Sequence, residues 1–500
     1  MTSTLPPLTR SHLNLPPAPP ERVLQFGEGV FLRAFVDWMI DELNERNLFN
    51  GGVAVVKPRG GKSIEVFNQQ QGLYTLLTRG LQDGKPVDES RVIRCITRGL
   101  DPLTQWDDVL TIARDPNVRF VVSNTTEAGI AVDAADRFAD TPPKSFPAKL
   151  TRLLHERWTA FAGASDKGWI VLPCELIEAN GTTLRALVIN TARAWSLDPA
   201  FVAWVSDACV FCNTLVDRIV TGRPSDTSEM DARLGYKDEL LNAAEPYHAL
   251  VVEGPKWVAD ELPLHKAGLN VVWTDDAAPY RTRKVRLLNG AHTMMVAAAF
   301  LAGHDTVRQA MDDPAIRDFV RGGLFEEILP TLDQPKDELE AFANSVLERF
   351  ANPFVEHRLL AIAMNSTSKF KARLLGSLKD HVARTEKLPE RIAFSLSALI
   401  VFYEGKLLRE HAVQDDASAV AAIQQAWTLC DVKRTVEAIL RDAKLWGEDL
   451  TPITGLTEAV TGYATLIRDR GIQAAMANSG PLSRYDRERV RVRADDGKHP

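Results

Sequence analysis

The spacing of apolar and polar residues changes character about halfway along the chain. In the first half, short apolar runs bounded by glycine, proline and polar residues predict buried β-strands, beginning with residues 22–26 and 53–56. Residues 31–47 lie between these two runs and carry large apolar side chains at helical spacing. Residues 284–482 are helical in pattern almost throughout, with loops at glycines and prolines. We therefore expect an α/β N-terminal half and a mostly α-helical C-terminal half.

The turn after the first predicted strand contains two closely spaced glycines, Gly27 and Gly29. A strand, a glycine turn and a helix in this order are typical of a dinucleotide-binding unit, in which unpaired N–H groups at the helix start bind a pyrophosphate. The third glycine of that motif is replaced by Leu32, and the basic residues Lys57 and Arg59 follow the second strand. An acidic residue there would bind the ribose 2′-hydroxyl of NAD, so spacing alone also leaves NADP open. An ordinary glycine turn is an equal alternative.

Polar residues follow one of the later predicted strands. Residues 124–129, Asn-Thr-Thr-Glu-Ala-Gly, come directly after a predicted strand at 119–123. The carboxyl ends of strands are where open α/β sheets bind ligands. A helix cap is an equally good interpretation of the same residues. Further strands of the first half are predicted at 91–97, 169–173, 250–252 and 269–273.

Residues 183–222 are predicted as helices. Asn213 and Asp217 would then lie four residues apart on one helix face. A solvated face or an internal ion pair is the favoured interpretation of these two polar residues. Residues 223–246 are charged and are predicted as a surface helix.

Composition and charge exclude several classes of function. The formal net charge of −7 is spread along the sequence, which leaves no basic footprint for a nucleic acid. Residues 1–20 lack the apolar core of a secretory signal. The longest apolar runs, at 294–303 and 394–403, are about half of the roughly 20 residues needed to span a membrane. We expect a cytoplasmic protein with no nucleic-acid or membrane partner, either a monomer or a small homo-oligomer.

The cysteines do not point to a disulfide framework or to a metal site. The chain has five cysteines in 500 residues, too few and too scattered for a disulfide scaffold. Cys209 and Cys212 form a single C-x-x-C pair, and no second pair follows it. Two small residues on one helix face are the favoured interpretation, and no metal is expected.

The start of the helical half combines a base, an amide and an imidazole in a short stretch containing Lys284, Asn289 and His292. The helix is predicted to begin near Lys284, and Asn289 and His292, three residues apart, would share a face. Interconverting an alcohol and a ketone requires a base for the hydroxyl proton and donors for the oxygen, and these side chains can supply both. Arg281, Arg283 and Arg286 would add the positive charge that favours a lysine base. The alternative is an exposed lysine, a capping asparagine and a core histidine.

The pattern Lys-x-x-x-x-Asn-x-x-His, formed by Lys284, Asn289 and His292, resembles the signature of the polyol-specific long-chain dehydrogenases, the mannitol dehydrogenase family. The loop FGEGVF at 26–31 and the segments TEAG and VDRIV match the same family in the same order. The resemblance covers residues 20–480, and the family's own loop reads G-x-G-x-F.

The resemblance implies a Rossmann-type N-terminal domain, a helical C-terminal domain and NAD as the cofactor. It implies that Lys284 is the general acid–base and that Asn289 and His292 polarise the C=O group, without a metal. The residues expected to bind the cofactor are Leu24, Gln25, Phe26, Gly27, Glu28, Gly29, Val30, Phe31, Leu32, Arg33, Ala34, Phe35, Thr126 and Glu127.

Length and pattern together predict two domains, because 500 residues exceed the size at which a single core stops growing. We expect a flexible N-terminal arm at 1–20 and a charged tail at 486–500. Between them we expect a dinucleotide-binding domain at 21–275 and a helical substrate and catalytic domain at 276–485, with the linker near 275–279.

Runs such as QFGEGVFLRAFVDWMIDELN, SNTTEAGI and DKGWIVLPCELIEANG are most similar to family members that act on keto-uronates. This likeness implies reversible, NADH-dependent reduction of tagaturonate to altronate, a small uronate and aldonate pair in galacturonate breakdown. The alternatives are reduction of fructuronate, oxidation of a neutral polyol such as mannitol, and a catalytically silent nucleotide-binding protein. Leu176 stands where mannitol-oxidising members carry an asparagine, which weakens the transfer of their polyol contacts to this sequence.

A uronate substrate requires a cationic partner for its carboxylate, which arginine or lysine provides best. The candidates lie after the Lys284 helix, and their alternative interpretation is solvated helix charge. The cationic candidates are Arg349, Arg358 and Lys369, with His357 as a further one. Asn213 and Asp217 complete the predicted substrate-binding residues.

Overall fold

The computed structural model describes residues 5–57, 63–406 and 413–478. Arg59 and the predicted tail at 486–500 lie outside these residues. The chain divides into two compact units, Met1–Ala278 and Pro279–Pro500, which are described separately below.

The described residues of the first unit form three β-sheets. Its strands are β1 (Glu21–Phe26), β2 (Gly52–Val56), β3 (Tyr74–Gln82), β4 (Lys85–Ile93), β5 (Ile96–Leu100), β6 (Phe120–Ser123), β7 (Ile170–Pro173), β8 (Val210–Phe211), β9 (Asn213–Asp217), β10 (Val220–Gly222), β11 (Asn242–Ala244), β12 (Ala249–Glu253) and β13 (Val271–Thr274).

The helices of the first unit connect and cover these strands. They are α1 (Val30–Arg33), α2 (Val36–Glu45), α3 (Ser63–Gln69), α4 (Trp106–Arg114), α5 (Phe146–Ala160), α6 (Asn180–Ala194), α7 (Pro199–Asp207), α8 (Thr227–Leu234) and α9 (Val258–Glu261).

The main sheet has six parallel strands in the order β5-β2-β1-β6-β7-β8. Residues of β1 alternate between two separate cores: Val23 joins the core that contains α2 and α3, and Leu24 joins the core that contains α4, α5 and α6. Burial on both faces explains why these strands are continuous apolar runs. The strand order changes direction between β1 and β6, where doubly wound sheets bind ligands. The predicted Rossmann-type fold is confirmed.

Two smaller sheets correct parts of the prediction. The sheet β10-β11-β3-β4 contains the hairpin β3–β4, whereas the sequence predicted one strand at 91–97, which spans the end of β4 and the start of β5. The sheet β13-β12-β9 contains a strand where 183–222 was predicted to be helical throughout. The helix predicted at 223–246 is also wrong in part, because it ends at Leu234 and β11 follows.

Cys209 and Cys212 do not share a helix face as predicted. Both lie outside the regular elements, on either side of the two-residue strand β8, and both are buried free thiols. Burial raises the pKa of the Cys209 and Cys212 thiols to about 12. Such thiols are poor nucleophiles and poor metal ligands at neutral pH.

The second unit is helical in its described residues. Its helices are α10 (Ala278–Arg283), α11 (Gly290–Leu301), α12 (Val307–Asp312), α13 (Pro314–Gly322), α14 (Lys336–Phe350), α15 (Leu359–Ala363), α16 (Ser366–Arg373), α17 (Leu375–Thr385), α18 (Glu390–Glu404), α19 (Ala417–Trp427), α20 (Val432–Arg441), α21 (Ala443–Trp446), α22 (Leu456–Arg470) and α23 (Ile472–Asn478).

Helix α11 is the centre of this unit. Its residues from Gly290 to Phe300 are buried, and it packs against α13, α15, α16 and α18. A helix that is apolar all round needs such complete cover. The described helices include none that is long and apolar enough to cross a membrane.

Candidate functional site

In the first unit, the candidate site is the glycine turn at the end of β1. Gly27 has φ +122°, and a Cβ atom there would lie 3.0 Å from the backbone oxygen of Asn124. This position therefore requires glycine for both conformation and space. Gly29, at the start of α1, is exposed and has no atom within 4 Å of an added Cβ. The turn thus leaves open backbone at the point where the sheet order changes direction.

The predicted helix at 31–47 is interrupted, because α1 ends at Arg33 and α2 begins at Val36. Carbonyl groups at the interruption receive hydrogen bonds from side chains of distant segments. The Tyr74 hydroxyl donates to the Arg33 carbonyl at 2.6 Å, and Arg218 donates to the Ala34 carbonyl at 2.6 Å. The break between the two helices is therefore satisfied by the surrounding fold.

The residues predicted to bind the cofactor fall into two groups. The side chains of Leu24, Gln25, Phe26, Leu32, Arg33, Ala34 and Phe35 are buried. Arg33, for example, donates to the Glu28 and Leu240 carbonyls, and burial lowers the pKa of its guanidinium. The residues with exposed or half-exposed surface are Glu28, Gly29, Val30 and Phe31. The first group therefore supports the turn, whereas Glu28, Val30 and Phe31 of the second group have side-chain surface for a ligand, as does Thr126.

The loop after β6 is held by one buried carboxylate, Glu175. Its Oε1 accepts hydrogen bonds from the Thr125 backbone N–H at 2.9 Å and the Thr125 hydroxyl at 3.0 Å, and its Oε2 accepts one from Ser123 at 3.1 Å. Burial raises the pKa of Glu175. Thr126 is exposed and has φ +75°, and Glu127 begins a short 3₁₀ turn. The Asn124–Gly129 loop is therefore fixed at the sheet edge beside the glycine turn.

Other predicted residues of the first unit have a different setting from the one expected. Lys57 is buried directly after β2 and has interaction partners. Asn213 and Asp217 lie on strand β9, so their predicted placement on a helix is wrong. Asn213 donates to Glu253 at 2.7 Å and accepts from the Thr182 N–H at 2.9 Å, which ties its amide to the framework of the unit.

In the second unit, the candidate site begins at a π turn, Lys284–Asn289, inside a helix that begins at Ala278. The prediction that the helix begins near Lys284 is therefore wrong by six residues, counted from these two positions. A π turn pairs residues five apart, so it stacks Lys284 and Asn289 along the helix, which an α-helix would not do. Lys284 and Asn289 are both half-buried, and Lys284 has interaction partners. Single π turns of this kind occur frequently at functional sites.

His292 follows the π turn and is buried, with 8% of its surface exposed. Its ring packs on Phe350 with a centroid distance of 4.1 Å, and His357 lies at 5.0 Å. Among the described residues, no group hydrogen-bonds its Nε2 atom. Burial, aided by the positive charges of His357, Arg349 and Arg373, lowers the pKa of His292 well below its usual value. The ring is therefore neutral at physiological pH and keeps one nitrogen free.

A basic cluster, defined as Arg349, His357, Lys369 and Arg373, surrounds His292. Arg349, His357 and Arg373 act on the charge of His292, and Lys369 acts on that of His357. Lys369 donates to the Ile362 carbonyl at 2.8 Å, and burial lowers its pKa.

The structure brings two of the predicted substrate residues, Arg349 and Lys369, into this cluster. Arg358 lies outside it, because its exposed side chain pairs with Glu356 at 2.6 Å. The sequence did not single out Arg373, although it is four residues after Lys369 on α16 and so shares its face. That spacing was the available signal.

The arginines expected to assist Lys284 are engaged elsewhere. Arg286 pairs with Asp380 at 2.5 Å and donates to the Thr331 hydroxyl at 3.2 Å. Arg283 lies 3.7 Å from Glu338. Gly290 allows the helix to approach α16 closely, because a Cβ there would lie 3.4 Å from the Arg373 carbonyl oxygen. Because Arg286 is paired with Asp380 and bonded to Thr331, its role is to hold the π turn in place, and its positive charge is already neutralised.

This set of groups can exchange a proton, donate to an oxygen and hold an anion. The amine of Lys284 can move a proton, and the amide of Asn289 and the free nitrogen of His292 can donate to a substrate oxygen. Within residues 5–57, 63–406 and 413–478, no group of three or more histidine, cysteine or acidic side chains could hold a metal ion.

Two family models match the chain. Residues 21–266 match the mannitol dehydrogenase Rossmann domain, and residues 276–466 match the mannitol dehydrogenase C-terminal domain. The fold and the Lys284 helix define an oxidoreductase of the two-domain, nucleotide-binding class. The chain belongs to the mannitol dehydrogenase family.

Curated relatives are similar over nearly their full length. The altronate oxidoreductase of Cronobacter sakazakii is 47% identical over 466 residues, covering 92% of this chain and 96% of that protein. The altronate oxidoreductase of Yersinia enterocolitica is 48% identical over 466 residues, with the same coverage.

Solved structures agree with the fold. A D-sorbitol dehydrogenase in substrate-free form has a TM-score of 0.78 at 24% identity, covering 94% of this chain and 99% of that one. The Pseudomonas fluorescens mannitol 2-dehydrogenase, solved as a ternary complex with NAD and D-mannitol, has a TM-score of 0.65 at 21% identity, covering 91% and 94%.

Proposed function

We propose that this protein interconverts tagaturonate and altronate in a reversible, NAD-dependent reaction of the CH–OH group. The identity of 47–48% to altronate oxidoreductases, over more than nine-tenths of both chains, supports the substrate. One structural observation carries the chemistry: a π turn stacks Lys284 and Asn289, and His292 follows with an unpartnered, buried Nε2.

The first unit fits a dinucleotide. Gly27 has neither the conformation nor the space for a side chain, and Gly29 leaves the start of α1 open. Backbone N–H groups of the turn would bind the pyrophosphate. The Asn124–Gly129 loop, which Glu175 holds in place, would contact the remainder of the dinucleotide. When bound, the nicotinamide supplies the acceptor for the hydrogen removed from the alcohol carbon of altronate.

Lys284 acts as the general base in altronate oxidation and as the general acid in the reverse direction. Its amine takes the proton of the reacting hydroxyl while the C–H bond breaks, and it returns that proton to the carbonyl oxygen during reduction. The π turn fixes the position of the Lys284 amine relative to the Asn289 amide, so that both groups can act on the same substrate oxygen.

Asn289 and His292 stabilise the developing charge on that oxygen. The Asn289 amide can donate one hydrogen bond. The neutral ring of His292 donates a second in the tautomer with its proton on Nε2, in which Nδ1 no longer donates to the Leu288 carbonyl. The ring stays neutral because burial lowers its pKa, so it adds a donor without adding a competing acid.

A panel of substrates tests the proposal. Tagaturonate, fructuronate and fructose are assayed side by side with NADH and with NADPH, following the loss of reduced nicotinamide. We expect the highest kcat/KM for tagaturonate with NADH. Faster turnover of fructuronate or fructose would reassign the substrate, and no turnover of any of the three would remove the enzyme assignment.

The NADPH arm is needed because Lys57, a basic residue, follows β2. A strong preference for NADPH would mean that this end of the strand accommodates a 2′-phosphate. A cytoplasmic location and a monomeric or small homo-oligomeric state stay predictions of the sequence.

A further inference from the structure

Arg373, the last residue of α16, is a half-buried arginine without a carboxylate partner among the described residues. Its Nη1 donates to the Thr293 hydroxyl at 3.2 Å, which leaves most of its donors unused. Burial alone lowers the pKa of its guanidinium, with no acidic group opposing the effect.

Two other arginines of the second unit, Arg286 and Arg391, are compensated by carboxylates. Arg286 pairs with Asp380 at 2.5 Å, and Arg391 pairs with Glu326 at 2.7 Å. Lys369, on the same face as Arg373, has the opposing charge of Asp415 near it. Arg373 is therefore an exception in its own surroundings. A partly desolvated cation without a counter-charge costs stability, unless an anion binds there.

The position of Arg373 is fixed relative to the reacting groups. Its carbonyl oxygen lies 3.4 Å from the place of a Cβ on Gly290, the residue directly after Asn289. The Thr293 hydroxyl that it contacts donates in turn to the Asn289 carbonyl at 3.0 Å. The guanidinium thus lies beside the His292 ring, whose protonated form its charge disfavours.

We infer that Arg373 is a specificity-determining residue that binds the carboxylate of the uronate substrate. The inference rests on the proposed function and deepens it. Arginine binds a carboxylate through two parallel hydrogen bonds, which fix both the distance and the orientation of the substrate chain. A neutral ketose would leave this guanidinium uncompensated, so the enzyme discriminates against it.

The test compares the wild type with Arg373→Met, Arg373→Lys and the control Arg308→Met. Arg308 lies on α12 and pairs with Asp312 at the surface, so the control removes a surface ion pair of the same unit. With tagaturonate, we expect the KM of R373M to rise about 100-fold, with a smaller change in kcat and no change in the KM for NADH. R373K, which keeps a point charge, should fall between R373M and the wild type.

The ratio of kcat/KM for tagaturonate to that for fructose separates recognition from damage. We expect R373M to lower this ratio about 100-fold, because only the uronate loses a partner. If the role of Arg373 were purely structural, R373M would lower kcat/KM for tagaturonate and for fructose by the same factor. That result would overturn the inference, and so would an unchanged KM for tagaturonate in a folded R373M. Added guanidinium ion should restore part of the activity of Arg373→Ala.

A binding measurement keeps this test separate from the proposed reaction. Altronate should raise the melting temperature of the wild type and of R308M, and it should not raise that of R373M. If the wild type reduces no keto-uronate but still shows this pattern, the proposed reaction fails and the carboxylate site stands. An equal shift in R373M would refute the site.

Discussion

The side chain of Gln25 donates a hydrogen bond to the Asp37 carboxylate at 3.2 Å and another to the Gly27 carbonyl at 2.9 Å. Both side chains are fully buried. The amide therefore joins the underside of the glycine turn to helix α2. One oxygen of each partner, Gln25 Oε1 and Asp37 Oδ1, has no hydrogen-bond donor in the described structure. Burial without a donor on the second oxygen raises the pKa of Asp37 to about 7.

This raised pKa predicts a pH-dependent stability. The pKa of Asp37 is about 7 in the folded state against 3.8 for the free group, so the folded state holds its proton over that range while the unfolded state loses it. The contribution of Asp37 to the free energy of unfolding is fully present below about pH 4 and is lost as the pH rises through 7. The loss is at most about 4 kcal/mol.

Asp37→Asn should remove this slope and increase the free energy of unfolding at pH 8 relative to the wild type. The asparagine amide can donate to Gln25 Oε1, which satisfies the atom that now lacks a donor. Denaturant unfolding at pH 5 and pH 8 measures both effects. Parallel pH dependence in the variant and the wild type would contradict the buried-carboxylate explanation.

Gly27→Ala should abolish NADH binding while leaving most of the fold intact. The φ of +122° is unfavourable for alanine, and its methyl group would meet the Asn124 carbonyl oxygen at 3.0 Å. Gly235→Ala is the matched control for conformation, because Gly235 at the end of α8 also has a positive φ, +79°, and no atom lies within 4 Å of its added Cβ. Quenching or enhancement of NADH fluorescence gives the dissociation constants. Binding by G27A with unchanged affinity would show that the turn does not contact the cofactor.

Lys284→Met should lower kcat by about 10³-fold, because a positioned acid–base group contributes 10²–10⁴-fold to a rate. The KM for NADH should stay near the wild-type value, since the cofactor contacts proposed above lie in the first unit. Lys336→Met, which removes an exposed lysine that lies near Glu340, is the control. Steady-state kinetics at several pH values are the measurement. A K284M enzyme with most of its turnover would transfer the acid–base role to another group.

The strands that carry the nucleotide site were predictable because their surroundings are simple. β2, β6 and β7 are buried throughout, and β1 is buried from Val23 onward, so the sequences of these strands are mostly apolar. The strand Asn213–Asp217 was missed because residues four apart share a face both in a helix and in a strand. β4 was missed because it lies largely exposed, and its polar sequence resembles a loop.

The residue types of the Lys284 helix were visible in the sequence, but their arrangement was not. Nothing in the composition of residues 284–289 distinguishes a π turn from an α-helix, since the same residue types occur in both. Arg373 was missed for a different reason. In sequence it belongs to the charged run KFKAR, and only the folded structure shows that Arg373 has no carboxylate partner in the described part of the chain, whereas Arg286 does.

His292 predicts a pH effect of opposite sign to that of Asp37. Burial and the positive groups facing the ring, namely His357, Arg349 and Arg373, lower its pKa below the usual 6.5. Below about pH 6.5, His292 is therefore protonated in the unfolded state but still neutral in the folded state. The free energy of unfolding falls as the pH decreases through this range. His292→Phe keeps a ring against Phe350 but cannot titrate, so its stability relative to the wild type should be higher at pH 5 than at pH 8.

The same variant should lose about 10²-fold in kcat at every pH, because it removes a donor to the reacting oxygen. Thermal melts and kcat profiles across pH 5–8 give both readouts, and a stability difference that is equal at the two pH values would show that His292 is not the titrating group.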